Sequence, residues 1–391
     1  MIYLDHNATT PVAPEVLAAM LPWLREQFGN ASSLHRLGRQ ARAAVEQARA
    51  SVARLLGARP EEILFTSGGS ESNNMVLQSV LHRGDGKRHI VTSRIEHPSV
   101  LETCKTLERR GARVTYVPVD RTGRVDPDAV RGAITDETAV VSLMHANNEV
   151  GTVQLVAAVG RLCRERGVFF HTDAVQTAGC LSVDIKTLSV DLLSLSAHKC
   201  YGPKGVGALY VRKDVSLRPL MLGGHQEQGR RAGTEHVAGI VGLGCAAELA
   251  AAGRTARATH ASVLRNRLWE GMRAIDGLTR NGHSTDTLPG TLSICVDGVD
   301  GESLVLALDG EGVCCSTGSA CSSGRMMPSH VLLAMGVEPS RAAGAVRFSV
   351  GSGNTADEID HVVALLPVLI KRLRAIASAS AGESAKLGER A

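Results

Sequence analysis

The sequence predicts an α/β fold, with a mostly parallel sheet covered by helices on both faces and a smaller α+β unit after it. Three observations carry that expectation. Short apolar runs alternate with amphipathic stretches over the first half of the chain, as strands and crossover helices of a parallel sheet do. From about Leu264 the spacing changes to a long helix, separated strands and a closing helix. The length of 391 residues exceeds what one hydrophobic core usually serves, so two units are expected.

The clearest helical period runs over residues 39–56. There Ala41, Ala44, Val45, Ala48, Val52, Leu55 and Leu56 share one stripe, and Gly57 supplies a stop. Buried strands are expected at Ile63-Leu64-Phe65, His89-Ile90-Val91, 114–117, 140–144, Val168-Phe169-Phe170 and 192–195, with a helix over 156–166. In the second unit, strands are expected over 291–296 and 347–350. The last helix is read from Thr355, where Thr-Ala-Asp-Glu forms a capping box with Glu358, and Ile359, Val362, Val363, Leu366 and Ile370 make its apolar face. The final residues carry Ala, Ser, Gly and charge without a period and are predicted to be disordered.

Bulk composition excludes several roles. A net charge of +4 is too small to argue for a nucleic-acid or membrane partner, and 3% aromatics leave little surface for base stacking. The N-terminus lacks the pattern of a secretory leader, and no window is expected to span a membrane, so a cytoplasmic protein is predicted. Nine cysteines, an odd number without a framework, read as free thiols, and Cys163, Cys180 and Cys245 read as packing.

Four segments could carry chemistry. Ser194 to Gly205 ends an apolar strand and delivers Ser196, Ala197, His198 and Lys199 into a Gly/Pro turn, where ligands of open α/β sheets bind. A lysine desolvated there is suited to Schiff-base chemistry; read alone, it is equally an ordinary turn lysine. Asp173 leaves the preceding strand and can keep a pyridinium nitrogen protonated, or simply cap a helix. The run Thr66-Ser67-Gly68-Gly69-Ser70-Glu71 joins strand to helix and can hold an anion on free amides, or be a plain Gly-rich turn. Amine, carboxylate and anion cradle together point to pyridoxal phosphate (PLP). The fourth segment, Cys314 to Gly324, is small and polar. Its Cys321 reads as a reactive thiol, and its spacing does not suit a zinc site, so no stable metal is expected.

These residues resemble the NifS/IscS-type cysteine desulfurases, within the class V, fold-type I PLP enzymes. The resemblance extends through Tyr3-Leu4-Asp5-His6-Asn7-Ala8-Thr9-Thr10-Pro11, Ile95-Glu96-His97, Asn147-Asn148-Glu149-Val150-Gly151, Gly223 to Thr234 and Val346-Arg347-Phe348-Ser349, nearly the whole chain. It implies a seven-stranded-type sheet in a large domain over 15–255. A small domain over 1–14 and 256–376 carries the Cys321 loop, and a tail follows over 377–391. The resemblance implies a PLP Schiff base on Lys199, with Asp173 at the ring nitrogen and His97 stacked on the ring and assisting proton transfer. Gln176 and Asn148 would contact the ring or its hydroxyl, Gly69, Ser70, Ser196 and His198 the phosphate, and Ala197 the cofactor, with Thr234 supplied by the second subunit of a homodimer. Arg347, with Asn148, would bind the substrate carboxylate, and Cys321 would accept sulfur from L-cysteine as a persulfide, leaving L-alanine. The sulfur would pass to an acceptor or iron–sulfur scaffold protein, with Cys321 as a transient cluster ligand at most.

The sequence departs from the family pattern at several positions. Ser70 stands for a common threonine, Thr317 for a serine, Asn30-Ala31-Ser32 lacks a proline, and Gly351-Ser352-Gly353 replaces a Gly-Arg pattern. The C-terminal tail does not resemble the scaffold-docking segment of the housekeeping branch. Two other readings are a lyase for selenocysteine or cysteine sulfinate and a non-catalytic sulfur carrier. The Cys321 loop argues against the first, and Lys199, Asp173 and His97 together argue against the second.

Overall fold

A computed structural model of the chain describes residues 1–82, 85–317 and 328–388. Its strands are β1 (Ile2–Tyr3), β2 (Ile63–Thr66), β3 (His89–Ser93), β4 (Arg113–Val117), β5 (Thr138–Met144), β6 (Phe169–Asp173), β7 (Leu192–Ser196), β8 (Gly207–Val211), β9 (Leu278–Asn281), β10 (Thr291–Val296), β11 (Val313–Cys314) and β12 (Ala345–Ser349). The large sheet has seven strands in the order β2-β8-β7-β6-β5-β3-β4, the α/β architecture expected. Strands β4, β3, β5, β6 and β7 pair in parallel, and only β8 runs against its neighbours. Between β7 and β8 lies a turn rather than a crossover helix, and so short a connection can return the chain only antiparallel.

Successive residues of a strand face opposite sides, and both sides are covered here. On one face Val141, Leu143, Phe170 and Leu193 pack with Val45, Val52 and Leu56 of the helix Arg36–Leu56. On the other, Ile90, Val140, Leu192 and Leu209 pack with Met75 of the helix Gly69–Gln78 and Val100 and Cys104 of the helix Pro98–Arg109. Each fully buried side chain of this size contributes roughly 1.5–3 kcal/mol. The sheet is therefore a rigid platform for the residues that follow its strands.

The helix Val237–Met272 joins this platform to a second core. Ile240, Leu243, Ala247 and Ala250 belong to the large core, while Leu264, Leu268 and Met272 pack with Leu4, Ile294, Phe348 and Leu366. The expected boundary at 255/256 thus falls inside one continuous helix. By length and composition this helix could also cross a membrane, a test that buried core helices pass too; half of that stretch is buried inside the protein. Its small residues permit close approach: a Cβ on Gly244 would lie 2.7 Å from Ala48 of the helix Arg36–Leu56.

The second unit has the antiparallel sheet β12-β10-β9, and β1 pairs in parallel with β11. The closing helix Ala356–Gly388 begins on the expected capping box, with Glu358 N–H donating to Thr355 Oγ1 at 3.3 Å and Thr355 N–H to Glu358 Oε2 at 3.1 Å. It continues to Gly388, past the point where disorder is expected from residue 377. That stretch has no apolar stripe, but its alanines favour helix without one.

Candidate active site

The carboxyl ends of β2, β5, β6 and β7 and the loop after β3 converge on a cleft of about 420 Å³, the place where open α/β sheets bind ligands. Lys199, Asp173, His97, Gln176, Asn148, Ser196, His198, Gly69, Ser70 and Arg347, distant in sequence, all line it.

Lys199 ends a single 3-10 turn that follows β7 directly, so the rigid strand holds its backbone. Its ammonium donates to the carbonyl of Asn7 and, at 2.7 Å, to that of Ala8. Desolvation, aided by the nearby Arg347 charge and opposed by Asp5 and Asp173, lowers its pKa to about 8. The unprotonated, nucleophilic amine is therefore more accessible at mildly alkaline pH than in an ordinary lysine.

Asp173, the last residue of β6, is buried and carries two fixed donors. Asn73 Nδ2 donates to Oδ2 at 2.7 Å, and the Val175 amide to Oδ1 at 3.0 Å. His97 caps the helix Pro98–Arg109, its Nδ1 accepting from the Ser99 amide at 3.1 Å. Its ring is open to the cleft, yet the surrounding desolvation and the Lys199 charge hold its pKa below the usual value. The neighbouring Glu96 is enclosed completely, and burial pushes its carboxyl up to about 8 despite hydrogen bonds from Ser93 Oγ and the Met144 amide.

Opposite the strand ends, the helix Gly69–Gln78 presents its N-terminus. The first amides of a helix have no partner within it, and its dipole favours an anion there. The turn into this helix needs glycine at Gly68, where φ is 152°. Ser70 adds a hydroxyl, and Ser196 and His198 close the side, with His198 Nδ1 3.1 Å from Thr9 Oγ1.

Arg347 enters from β12 and is buried. Nη2 donates to Asp5 Oδ1 at 2.7 Å and Nη1 to the Asn148 carbonyl at 3.0 Å, while the buried Nε has no partner among the described residues. Asp5 is a site residue that the sequence patterns do not single out, as are Asn7 and Asn73. The Asn7 carbonyl also accepts from Gln176 Nε2 at 3.0 Å, and its Nδ2 donates to the Asn148 carbonyl at 3.0 Å and Thr291 Oγ1 at 2.9 Å. Membership of the Tyr3–Pro11 motif is the available signal for Asp5 and Asn7.

Two expected site residues do not reach the cleft of their own chain. Ala197 does not line the cleft: it is fully buried against Gly202, and its amide is bonded to the Val206 carbonyl at 3.1 Å. Thr234 is exposed and lies outside the cleft. Cys321 lies outside the described residues. Of the residues leading to it, Ser316 lines the cleft and is bridged to Arg347, whose amide donates to its carbonyl at 2.6 Å. Ser329, beyond it, donates to Glu149, whose carboxyl burial pushes up to about 7.

A desolvated amine, a buried carboxylate and a helix-end anion cradle share one cleft, a donor set that fits a phosphate-bearing carbonyl cofactor. Asn73 and Arg347 each keep one buried polar atom there without a partner among the described residues, Oδ1 and Nε. Over residues 2–362 the sequence matches the aminotransferase class-V family. The chain belongs to that family. Within the class-V family it is similar to cysteine desulfurase IscS of Dictyoglomus turgidum, 47% identical over 377 residues, covering 96% of each chain. Among solved structures, a NifS-like protein aligns with a TM-score of 0.88 at 41% identity, covering 96% of this chain and 99% of the other. SspA in complex with cysteine aligns at 0.80 and 37% identity, covering 91% and 100% respectively. The NifS/IscS-type resemblance of the sequence is borne out by these relatives.

Proposed function

We propose that the chain is a cysteine desulfurase that moves sulfur from L-cysteine to Cys321 with PLP as cofactor. The observation that carries this reading is the convergence of Lys199, Asp173 and Arg347 on one cleft. The binding of cysteine by the related SspA supports the choice of substrate.

Lys199 would hold PLP as a Schiff base, with Asp173 at the ring nitrogen and His97 against the ring. The amides of Gly69 and Ser70, Ser196 and His198 would hold the phosphate, joined by Thr234 of a second copy in a homodimer. When bound, PLP supplies an electron-accepting ring that stabilises negative charge at the substrate α-carbon. Arg347 grips the substrate carboxylate with donors not engaged by Asp5 and Asn148, a task suited to its planar fork. As a free amine Lys199 would take and return protons, and a pKa lowered to about 8 suits it to both. The Cys321 thiolate attacks the substrate sulfur, so the carbon–sulfur bond breaks and a sulfur–sulfur bond forms. The electron pair stays with the substrate carbon, which takes up a proton and leaves as alanine. The persulfide then passes its sulfur to an acceptor protein, for iron–sulfur assembly among other uses.

The test is alanine and persulfide analysis after cysteine is added to the purified, PLP-loaded protein. One alanine should form per persulfide on Cys321 before any external acceptor is supplied. Lys199→Ala should lose the covalently held visible chromophore, and Cys321→Ala should keep it while losing persulfide formation. A wild type that stays colourless with PLP overturns the cofactor, and undiminished sulfur release by Cys321→Ala moves the reading to a lyase acting without a thiol acceptor.

A further inference from the structure

One buried side chain of the cleft, Asn73, has no part in the chemistry above, yet it touches both sides of the site. It is 1% exposed and lies four residues after Gly69, on the same face of the helix whose N-terminus forms the anion cradle. Its Nδ2 is 2.7 Å from Asp173 Oδ2 and 2.9 Å from Ser99 Oγ, and Ser99 Oγ is 2.8 Å from His97 Nδ1. We propose that Asn73 is a positioning residue that aims the Asp173 carboxylate and, through Ser99, leaves the proton of the neutral His97 ring on Nε2.

Donor and acceptor roles along this chain follow from its charged end. An ionised carboxylate only accepts, so the amide of Asn73 must turn its NH2 toward Asp173. The second hydrogen of that NH2 is directed at Ser99 Oγ, which therefore accepts. A serine hydroxyl has one proton, and the remaining partner at hydrogen-bond distance is His97 Nδ1. The Ser99 amide also donates to Nδ1, at 3.1 Å. A nitrogen that receives two donors carries no proton itself, so Nε2 carries it. His97 can then act as a proton donor through one nitrogen only, and reversal of its tautomer would leave the Ser99 amide facing a second N–H. At the other end, Asn73 and the Val175 amide take one oxygen of Asp173 each, which fixes the carboxylate plane and leaves its other lone pairs for the ring nitrogen. The same helix thus seats the phosphate end and the nitrogen end of one ligand.

The consequence for the cofactor rests on the PLP reading above; the hydrogen-bond chain does not. The experiment is nitrogen-15 NMR of the full-length protein with labelled histidine, before and after PLP is added, with His97 identified by the signals missing in His97→Ala. In wild type, Nδ1 should give the signal of an unprotonated acceptor and Nε2 that of a protonated nitrogen. Asn73→Ala should shift the Nδ1 signal toward a mixture of tautomers and weaken PLP retention roughly tenfold, the scale of one hydrogen bond to a charged group. Ser99→Ala, at a half-buried position, should shift Nδ1 in the same direction, and Ser99→Thr should restore the wild-type pattern. A proton on Nδ1 in wild type overturns the proposal, and so does an Asn73→Ala protein whose His97 signals and PLP retention both match wild type. The two readings separate cleanly. A protein with the expected tautomer that never takes up PLP supports the role of Asn73 on His97 and overturns the cofactor reading, whereas a yellow protein with Nδ1 protonated does the reverse.

Discussion

Asp5 and Arg347 form an ion pair in which the arginine is buried and the carboxylate is partly open. A buried guanidinium without a counter-charge is costly, and Asp5 meets that need before any substrate carboxylate arrives. Asp5→Asn should therefore leave Arg347 poorly oriented and raise KM for cysteine on the order of tenfold, with a smaller change in kcat. Steady-state kinetics decide this, and an unchanged KM would sink it. Lys199 gives a second expectation. Its pKa is lowered to about 8, so the ammonium dominates below that pH and the neutral amine above it. The rate at which cofactor-free protein takes up PLP should climb with pH and level off a little above 8. A rate still climbing toward pH 10 would mean an ordinary lysine.

Among the elements, glycine contacts decide what the sheet edge can tolerate. A Cβ on Gly207 of β8 would lie 2.5 Å from the Leu195 carbonyl and 2.6 Å from Gly68 Cα. Gly207→Ala should push β8 away from the cradle, destabilise the protein by about 1–3 kcal/mol and weaken PLP retention. At Gly132, in the helix Pro127–Ala133, an added Cβ would meet nothing within 4 Å, so Gly132→Ala should be neutral or stabilising by up to about 1 kcal/mol. Thermal melts of the two variants should therefore move apart, and equal melts would refute the packing argument. The six strands expected from apolar runs, β2 to β7, are all present. β8, Gly-Ala-Leu-Tyr-Val, is as apolar as these but directly follows a Gly/Pro turn, so its run merges with the turn. β9, Leu-Thr-Arg-Asn, carries too little apolar character to stand out. Lys199, Asp173 and Gly69 are legible because each ends a strand or follows one closely. Asn73 and Ser99 are not: a hydrogen bond from residue 73 to residue 173 exists only once the sheet has brought their neighbours together.

For the whole molecule, the exposed position of Thr234 makes the homodimer testable. If Thr234 serves the neighbouring subunit, Thr234→Asp should place a negative charge against that subunit's phosphate. A protein carrying Lys199→Ala fails in its own cleft but still presents an intact Thr234. Mixing the two inactive variants under conditions of subunit exchange should then restore activity, because one of the two clefts in each hybrid is intact. No recovery, with hybrids verified by mass, would place Thr234 outside the neighbour's site. The buried pair Arg49–Glu227, with Glu227 also accepting from the Phe65 amide at 2.9 Å, ties the segment leading to Thr234 back to β2 and the helix Arg36–Leu56.

β2 sits at the sheet's edge, and among the described residues β8 is its one partner strand. Because β8 comes much later in the chain, a growing polypeptide emerging from the ribosome has no means of pairing β2 until residue 211 has been made. The turn at Gly68 and the helix end that follow β2 are therefore secured only after β8, with Ser316 and Arg347 of the same cleft made later still. Long-range pairings of this kind slow folding. The timetable of synthesis puts capture of a phosphate-bearing ligand after the sheet is assembled, so such a ligand would seal the finished platform rather than nucleate it.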